Sequence, residues 1–203
     1  MLTENPGIFI VEDHPLMREG LASYFKGTGR WQIAGIAASL EEAKRQLTQI
    51  KMDIVLLDIQ LEDGWGLDLI PFIKQLVKQS KPPLIAVYSA YDDYSHVRTA
   101  LGLGARVYLC KRRSEKDLEK ALLDALGGKI CIDGSVQEKL DTAATLFNLL
   151  TKRESEILNL VKDGLSNREI AVHLGISHRT VENILSCIYD KTGIKSRLEL
   201  ERL

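Results

Sequence analysis

The chain has 203 residues, 45% hydrophobic and 27% charged, the profile of a globular protein able to build one large core or two modest ones. A formal net charge of -1 excludes bulk electrostatic attraction to nucleic acid or membrane, so any DNA contact must come from a local arrangement. Cys110, Cys131 and Cys187 lack CxxC spacing, no apolar run is long enough to span a bilayer, and the N-terminus lacks the charged-then-apolar order of a secretion signal. Free thiols, a cytoplasmic location and no membrane partner are therefore expected.

Short apolar runs at 8–11, 32–37, 53–58, 84–88 and 106–110 alternate with amphipathic stretches near 15–27, 39–50, 66–79, 93–103 and 114–126. This alternation predicts an α/β fold, a doubly wound five-stranded parallel sheet covered on both faces. Ser39-x-x-Glu42 and Ser114-x-x-Asp117 each place a hydroxyl at a helix N-cap with an acid three residues on, and Pro82-Pro83 ends the third helix. Gly127-Gly128 closes the fifth helix, and after Asp133 no strand-like run recurs. Ser135, Thr151, Ser166 and Ser177 then open four more helices, with glycine stops at Gly164, Gly175 and Gly193. The expected organisation is a first domain over 1–130, a partly helical linker over 131–147 and a small all-α domain over 148–203. The linker stripe of Leu140, Ala143, Ala144 and Phe147 is expected to pack on a domain.

Polar groups stand where four of the apolar runs end: Glu12-Asp13, Asp58, Ser89 and Lys111. In a parallel sheet all strand C-termini lie along one edge, so these residues would meet in one pocket. Clustered carboxylates repel when ionised and commonly bind a cation; oxygen ligands suit Mg²⁺ better than zinc, and no His/Cys cluster competes. Screened by metal and lysine, a central aspartate can act as a nucleophile toward phosphorus. Each residue alone reads as a cap, a turn residue or a solvated charge; the order acids, Asp, Ser, Lys carries the joint reading.

That order, over residues 7–128, resembles the receiver domain of bacterial two-component response regulators, a flavodoxin-like fold. The matching text is Phe9-Ile-Val-Glu-Asp-His-Pro15, Asp53-Ile-Val-Leu-Leu-Asp58, Gly66, Ser89-Ala90 and Gly104-Ala-Arg-Val-Tyr-Leu-Cys-Lys111. The resemblance implies that Asp58 accepts a phosphoryl group from a sensor histidine kinase. It implies Mg²⁺ held by Asp13, Asp58 and the Gln60 backbone carbonyl, with Glu12 acting through water. Ser89 and Tyr108 match the family's switch pair, and Lys111 its phosphoryl-binding lysine. Glu62 stands where the family usually has proline, and Gln60 and Tyr91 occupy positions that influence access of hydrolytic water.

From Leu150 the text runs Leu-Thr-Lys-Arg-Glu-Ser-Glu-Ile-Leu158, Gly164-Leu-Ser-Asn-Arg-Glu-Ile-Ala171, Leu174-Gly-Ile-Ser177 and Thr180-Val-Glu182. Two helices joined by a short glycine-containing turn are the helix-turn-helix pattern. The full string resembles the LuxR-type domain of NarL/FixJ-type regulators. The second helix, about 178–191, would be the recognition helix, with His178, Arg179, Glu182, Asn183 and Ser186 facing outward. Asn183 suits an adenine edge, and Arg179, Lys191, Lys195 and Arg197 suit phosphates. Residues 148–203 hold nine Lys/Arg against eight Asp/Glu, which predicts modest affinity per subunit, strong salt sensitivity and reliance on dimers or neighbouring proteins, with a homodimer expected in the active state.

The expected function is a phosphorylation-controlled, double-stranded-DNA-binding transcription factor rather than an enzyme. Two alternatives remain open here: a DNA-binding protein whose receiver serves only as a dimerisation scaffold, and an aspartate-nucleophile phosphohydrolase. Gln60, at the place where such phosphatases carry a second acid, argues against the latter.

Overall fold

The structure, a computed structural model, describes residues 5–76, 82–137, 149–194 and 196–201. The chain divides into two compact units, with the main break between Asp133 and Gly134.

The first unit is built on a parallel sheet of β1 (Gly7–Val11), β2 (Gln32–Ala37), β3 (Ile54–Leu57), β6 (Leu84–Ser89), β7 (Val107–Cys110) and β8 (Cys131–Ile132), in the order β2-β1-β3-β6-β7-β8. Alternate residues of a strand face opposite ways. Ile8, Ile10, Ile54, Leu56, Ala86 and Val107 form one core with α1 (Pro15–Gly27) and α5 (Glu115–Leu126), through Leu21, Phe25, Leu118 and Leu122. Phe9, Val11, Val55, Leu57, Ile85 and Val87, one step along, are buried as well. Burial of both faces is why these strands read as continuous apolar runs. Each fully buried Leu or Phe contributes about 1.5–3 kcal/mol, which offsets the entropy of ordering the chain.

The parallel α/β architecture is as expected, but the sheet has six strands rather than five. Cys131 and Ile132, expected to begin the linker, pair with Val107 and Tyr108 instead. Two residues are too few to show a period of two, so the sequence carried no strand signal there. Asp133, which follows, is buried and takes a bidentate ion pair from Arg113 at 2.8 and 3.0 Å. The linker residues 138–147, with Leu140, Ala143, Ala144 and Phe147, lie outside the described residues.

A small antiparallel hairpin, β4 (Gln60–Leu61) and β5 (Gly64–Trp65), follows β3 and leads through a 3₁₀ turn at Gly66–Asp68 into α3 (Leu69–Leu76). Its turn residue Asp63 accepts from the Leu40 and Glu41 amides at the start of α2 (Leu40–Leu47), at 2.8 and 3.1 Å. Those amides, Leu40's first, hold the Asp63 carboxyl below its ordinary range. Ser39 caps α2 as expected, accepting from Glu42, but the Glu42 carboxylate reaches the Ala38 amide rather than closing a reciprocal box. Ser114 and Asp117 close theirs at the start of α5. Helix α4 (Tyr94–Gly102), which belongs to this unit from His96 onward, follows β6.

The second unit contains α6 (Lys152–Lys162), α7 (Asn167–Leu174), α8 (His178–Thr192) and α9 (Arg197–Glu201). Capping boxes at Thr151/Glu154 and Ser166/Glu169 open α6 and α7, and Ser177 caps α8 by accepting from the Thr180 amide. Gly175 ends α7 in the left-handed region at φ 64°, a conformation glycine adopts without steric cost. Ile157, Leu158, Val161, Ile170, Ala171, Val181, Leu185, Ile188 and Leu200 form the core. Among the described residues, no helix is long and apolar enough to cross a membrane.

Candidate functional site

Four strand ends converge at the C-terminal edge of the parallel sheet. Glu12 and Asp13 follow β1, Asp58 follows β3, Ser89 ends β6, and Lys111 follows β7. Asp58 is almost entirely buried and each of its oxygens is engaged. Its Oδ1 accepts from Ser89 Oγ at 2.8 Å and from the Ile59 amide at 2.7 Å. Its Oδ2 accepts from Lys111 Nζ at 2.6 Å, and the same ammonium reaches Glu12 Oε2 at 2.8 Å. Arg18, one turn into α1, donates to the Glu12 and Asp13 carbonyls at 2.9 and 2.8 Å, fixing the backbone that carries both acids.

Burial disfavours the Glu12 carboxylate and raises its pKa, although the Lys111 hydrogen bond pulls the other way. For Lys111, burial favours the neutral amine, but its bonds to Asp58 and Glu12 outweigh that and hold the ammonium charged. Three carboxylates (Glu12, Asp13, Asp58) against one ammonium (Lys111) leave the centre with two negative charges, an imbalance that a divalent cation neutralises. Ligand atoms of Glu12, Asp13, His14 and Asp58 all lie within 4.8 Å of one another. The donor set fits Mg²⁺, being mostly carboxylate oxygen.

His14 is the member the sequence reading missed. It precedes Pro15 at the N-cap of α1, and its Nδ1 lies 2.7 Å from Asp13 Oδ1. Beneath the centre, Gly66 allows the hairpin to return close to β3. A Cβ on Gly66 would come within 1.9 Å of the Asp58 carbonyl oxygen, a distance no side chain permits. Tyr108 is completely buried, and its hydroxyl donates to the Tyr91 carbonyl at 2.8 Å. The Gln60 side chain accepts from the Tyr91 hydroxyl at 2.6 Å. Glu62 sits exposed in the hairpin turn.

In the second unit α7, the Gly175 turn and α8 form the helix-turn-helix. His178, Arg179, Glu182, Asn183 and Ser186 are all exposed on α8, opposite the buried Val181, Leu185 and Ile188. Ile184 packs partly against the core. The remaining basic residues are placed differently. Lys191 donates to Glu154 Oε2 at 2.7 Å. Arg197 is half-buried, donating to Asn167 Oδ1 at 2.8 Å, to Glu201 Oε1 at 3.0 Å and to the Leu165 carbonyl. Charge alone did not reveal that the latter two also brace the domain. Lys195 lies outside the described residues.

Comparison with known proteins agrees with this architecture. Residues 8–123 match the response regulator receiver domain, and residues 148–203 match the luxR family of bacterial regulatory proteins. The response regulator protein VraR of Staphylococcus aureus strain Mu3 is 30% identical over 196 residues, covering 95% of this chain and 92% of the relative. Among solved structures, RcsB from Salmonella enterica serovar Typhimurium, bound to a promoter with a phosphomimetic, superposes with a TM-score of 0.73 at 23% identity, covering 97% of this chain and 96% of that one. ChrA, the response regulator of a heme-sensing two-component system, gives a TM-score of 0.54 at 26% identity, covering 98% and 96%. The chain belongs to the response regulators with a LuxR-type helix-turn-helix domain, and is a phosphorylation-dependent DNA-binding transcriptional regulator of a two-component system.

Proposed function

We propose that Asp58 is the phosphoryl acceptor and that a sensor histidine kinase is its donor. An Asp58 oxygen attacks phosphorus, the phosphorus–nitrogen bond of the phosphohistidine breaks, and the imidazole leaves with a proton. The observation that carries this reading is the convergence on Asp58 of Lys111 Nζ, Ser89 Oγ and the Ile59 amide, three donors within 2.8 Å. Donors already aimed at the carboxylate need little rearrangement to bind phosphoryl oxygens. Asp13, Asp58 and the Gln60 backbone carbonyl would hold Mg²⁺, with Glu12 acting through water. The cation would supply charge neutralisation as two anions approach. Ser89 and Tyr108 act as the switch pair.

The output side of the proposal rests on the exposed face of α8. Asn183 and Glu182 offer groups for base edges, with His178 and Ser186 beside them, and Arg179 offers a phosphate contact. Lys191, Lys195 and Arg197 are the further phosphate candidates, the first and last also serving the fold. RcsB has been solved as dimers on DNA. A homodimer of this chain is supported by the thin positive charge of residues 148–203, which leaves one subunit weakly attracted to DNA.

Incubation with acetyl phosphate and Mg²⁺, followed by intact mass, tests the acceptor. The wild type is expected to gain one phosphoryl group and Asp58→Asn none. A wild type that gains nothing beside a competent control overturns the assignment and favours the receiver as a scaffold.

A further inference from the structure

The hairpin that follows Asp58 is short and has little of its own to hold it. Gln60 pairs with Trp65 and Leu61 with Gly64, and the Gly66 amide donates back to the Ile59 carbonyl at 2.6 Å. An isolated two-stranded hairpin is marginal in water. No proline lies between Asp58 and Ile70 to fix a backbone angle. The turn is instead tied to another element. The Asp63 carboxylate spans two amides of α2: Oδ1 accepts from Leu40 at 2.8 Å and Oδ2 from Glu41 at 3.1 Å. There it meets the positive end of the helix dipole and amides that have no partner inside the helix. The Leu40 amide above all keeps the carboxyl below its ordinary range, so the tie stays anionic. The Ser39 hydroxyl accepts from the next amide, that of Glu42, at 3.1 Å. Helix α2 therefore has two caps, one local and one that arrives from the loop after Asp58.

We infer that Asp63 is a positioning residue for the divalent cation: it pins the hairpin to the start of α2 and so fixes the Gln60 backbone carbonyl beside Asp58. The inference rests on the reading that this carbonyl, with Asp13 and Asp58, holds Mg²⁺. Gln60 opens the hairpin and Asp63 lies in its turn, so a turn free to swing carries the carbonyl with it. A binding-competent arrangement that is only partly populated lowers apparent affinity by that fraction. Asp63 acts through the hairpin backbone and is not among the carboxylates gathered at the centre.

The test titrates Mg²⁺ alone into the full chain by calorimetry. Asp63→Ala is expected to weaken Mg²⁺ binding about fivefold, the equilibrium equivalent of one lost helix cap. Asp63→Asn keeps one accepting oxygen and is expected to fall between Asp63→Ala and the wild type. Ser39→Ala removes the local cap and loosens α2 without releasing the hairpin, so it is expected to bind Mg²⁺ as the wild type does. A merely structural role of the caps would move both alanine variants alike. A second arm needs no metal. Exchange of the Gly66 amide, followed by nuclear magnetic resonance, is expected to quicken in Asp63→Ala and to keep its wild-type rate in Ser39→Ala. Wild-type Mg²⁺ affinity in Asp63→Ala, an equal loss in Ser39→Ala, or unchanged exchange at Gly66 overturns the inference and leaves the acidic centre as read. A wild type that binds no Mg²⁺ overturns that reading and the inference together.

Discussion

Lys111 and Asp58 are joined by a contact of 2.6 Å from Nζ to Oδ2, and the same ammonium is shared with Glu12. One cation therefore holds together carboxylates that arrive from two different strand ends. Sharing it leaves the centre two charges short of neutrality, and it makes the stability of the first unit depend on what else neutralises the acids.

Lys111→Met should expose that dependence. Removing a part-buried ammonium leaves Glu12, Asp13 and Asp58 to repel one another, at a cost of about 2 kcal/mol in the absence of divalent cation. Mg²⁺ should then raise the midpoint of thermal unfolding more in the variant than in the wild type, since it replaces more of the missing charge. The measurement is thermal unfolding with EDTA and with Mg²⁺. An equal Mg²⁺ response in the two proteins would show that the lysine does not balance this charge.

Two arginines of the second unit are predicted to separate fold from DNA contact. Arg197 makes hydrogen bonds to Asn167, Glu201 and the Leu165 carbonyl, so Arg197→Ala should destabilise the domain by about 2 kcal/mol. Arg179 is exposed at the start of α8, so Arg179→Ala should leave stability nearly unchanged. It should instead weaken DNA binding and lower the slope of log affinity against log salt by about one unit. Urea unfolding beside fluorescence anisotropy at several salt concentrations reads both. A normal salt slope in Arg179→Ala would remove that residue from the phosphate contacts.

The contrast between these arginines marks what the sequence could reveal. Outward positions on α8 followed from helical spacing around Val181, Leu185 and Ile188, because periodicity reports which face is buried. The strand ends at Asp58, Ser89 and Lys111 were legible for the same reason, since apolar runs stop where the sheet edge meets solvent. Arg197 and Lys191 were not, because a charged side chain carries no sequence mark of the partner it will find. The two-residue strand Cys131–Ile132 and the hairpin at Gln60–Trp65 were too short to show a period, and they form because neighbouring chain supplies their partners. His14 was not singled out, because a lone histidine carries no sequence mark of the carboxylates it will face.

Glu154 gives the second unit a specific acid sensitivity. Its carboxylate accepts from Lys191 Nζ at 2.7 Å and from the Thr151 amide at 2.7 Å. Lys191 first, then the amide, lower its pKa from the ordinary 4.5 to about 2. A carboxyl whose pKa is lower folded than unfolded contributes stability that is fully present above the unfolded value and is lost as pH falls through the folded one. The contribution of Glu154 should thus be intact above about pH 4.5 and disappear on acidification toward pH 2. Glu154→Gln should be less stable at neutral pH and should lack this component of acid loss, because the amide does not titrate. Amide exchange across α6 and α8, measured on both proteins at each pH, reads the difference between them and cancels the intrinsic pH dependence of exchange. The gap in protection should be widest above pH 4.5 and should close as pH approaches 2. A gap that stays constant over that range would mean that the Lys191 contact and the cap do not depend on the charge of Glu154.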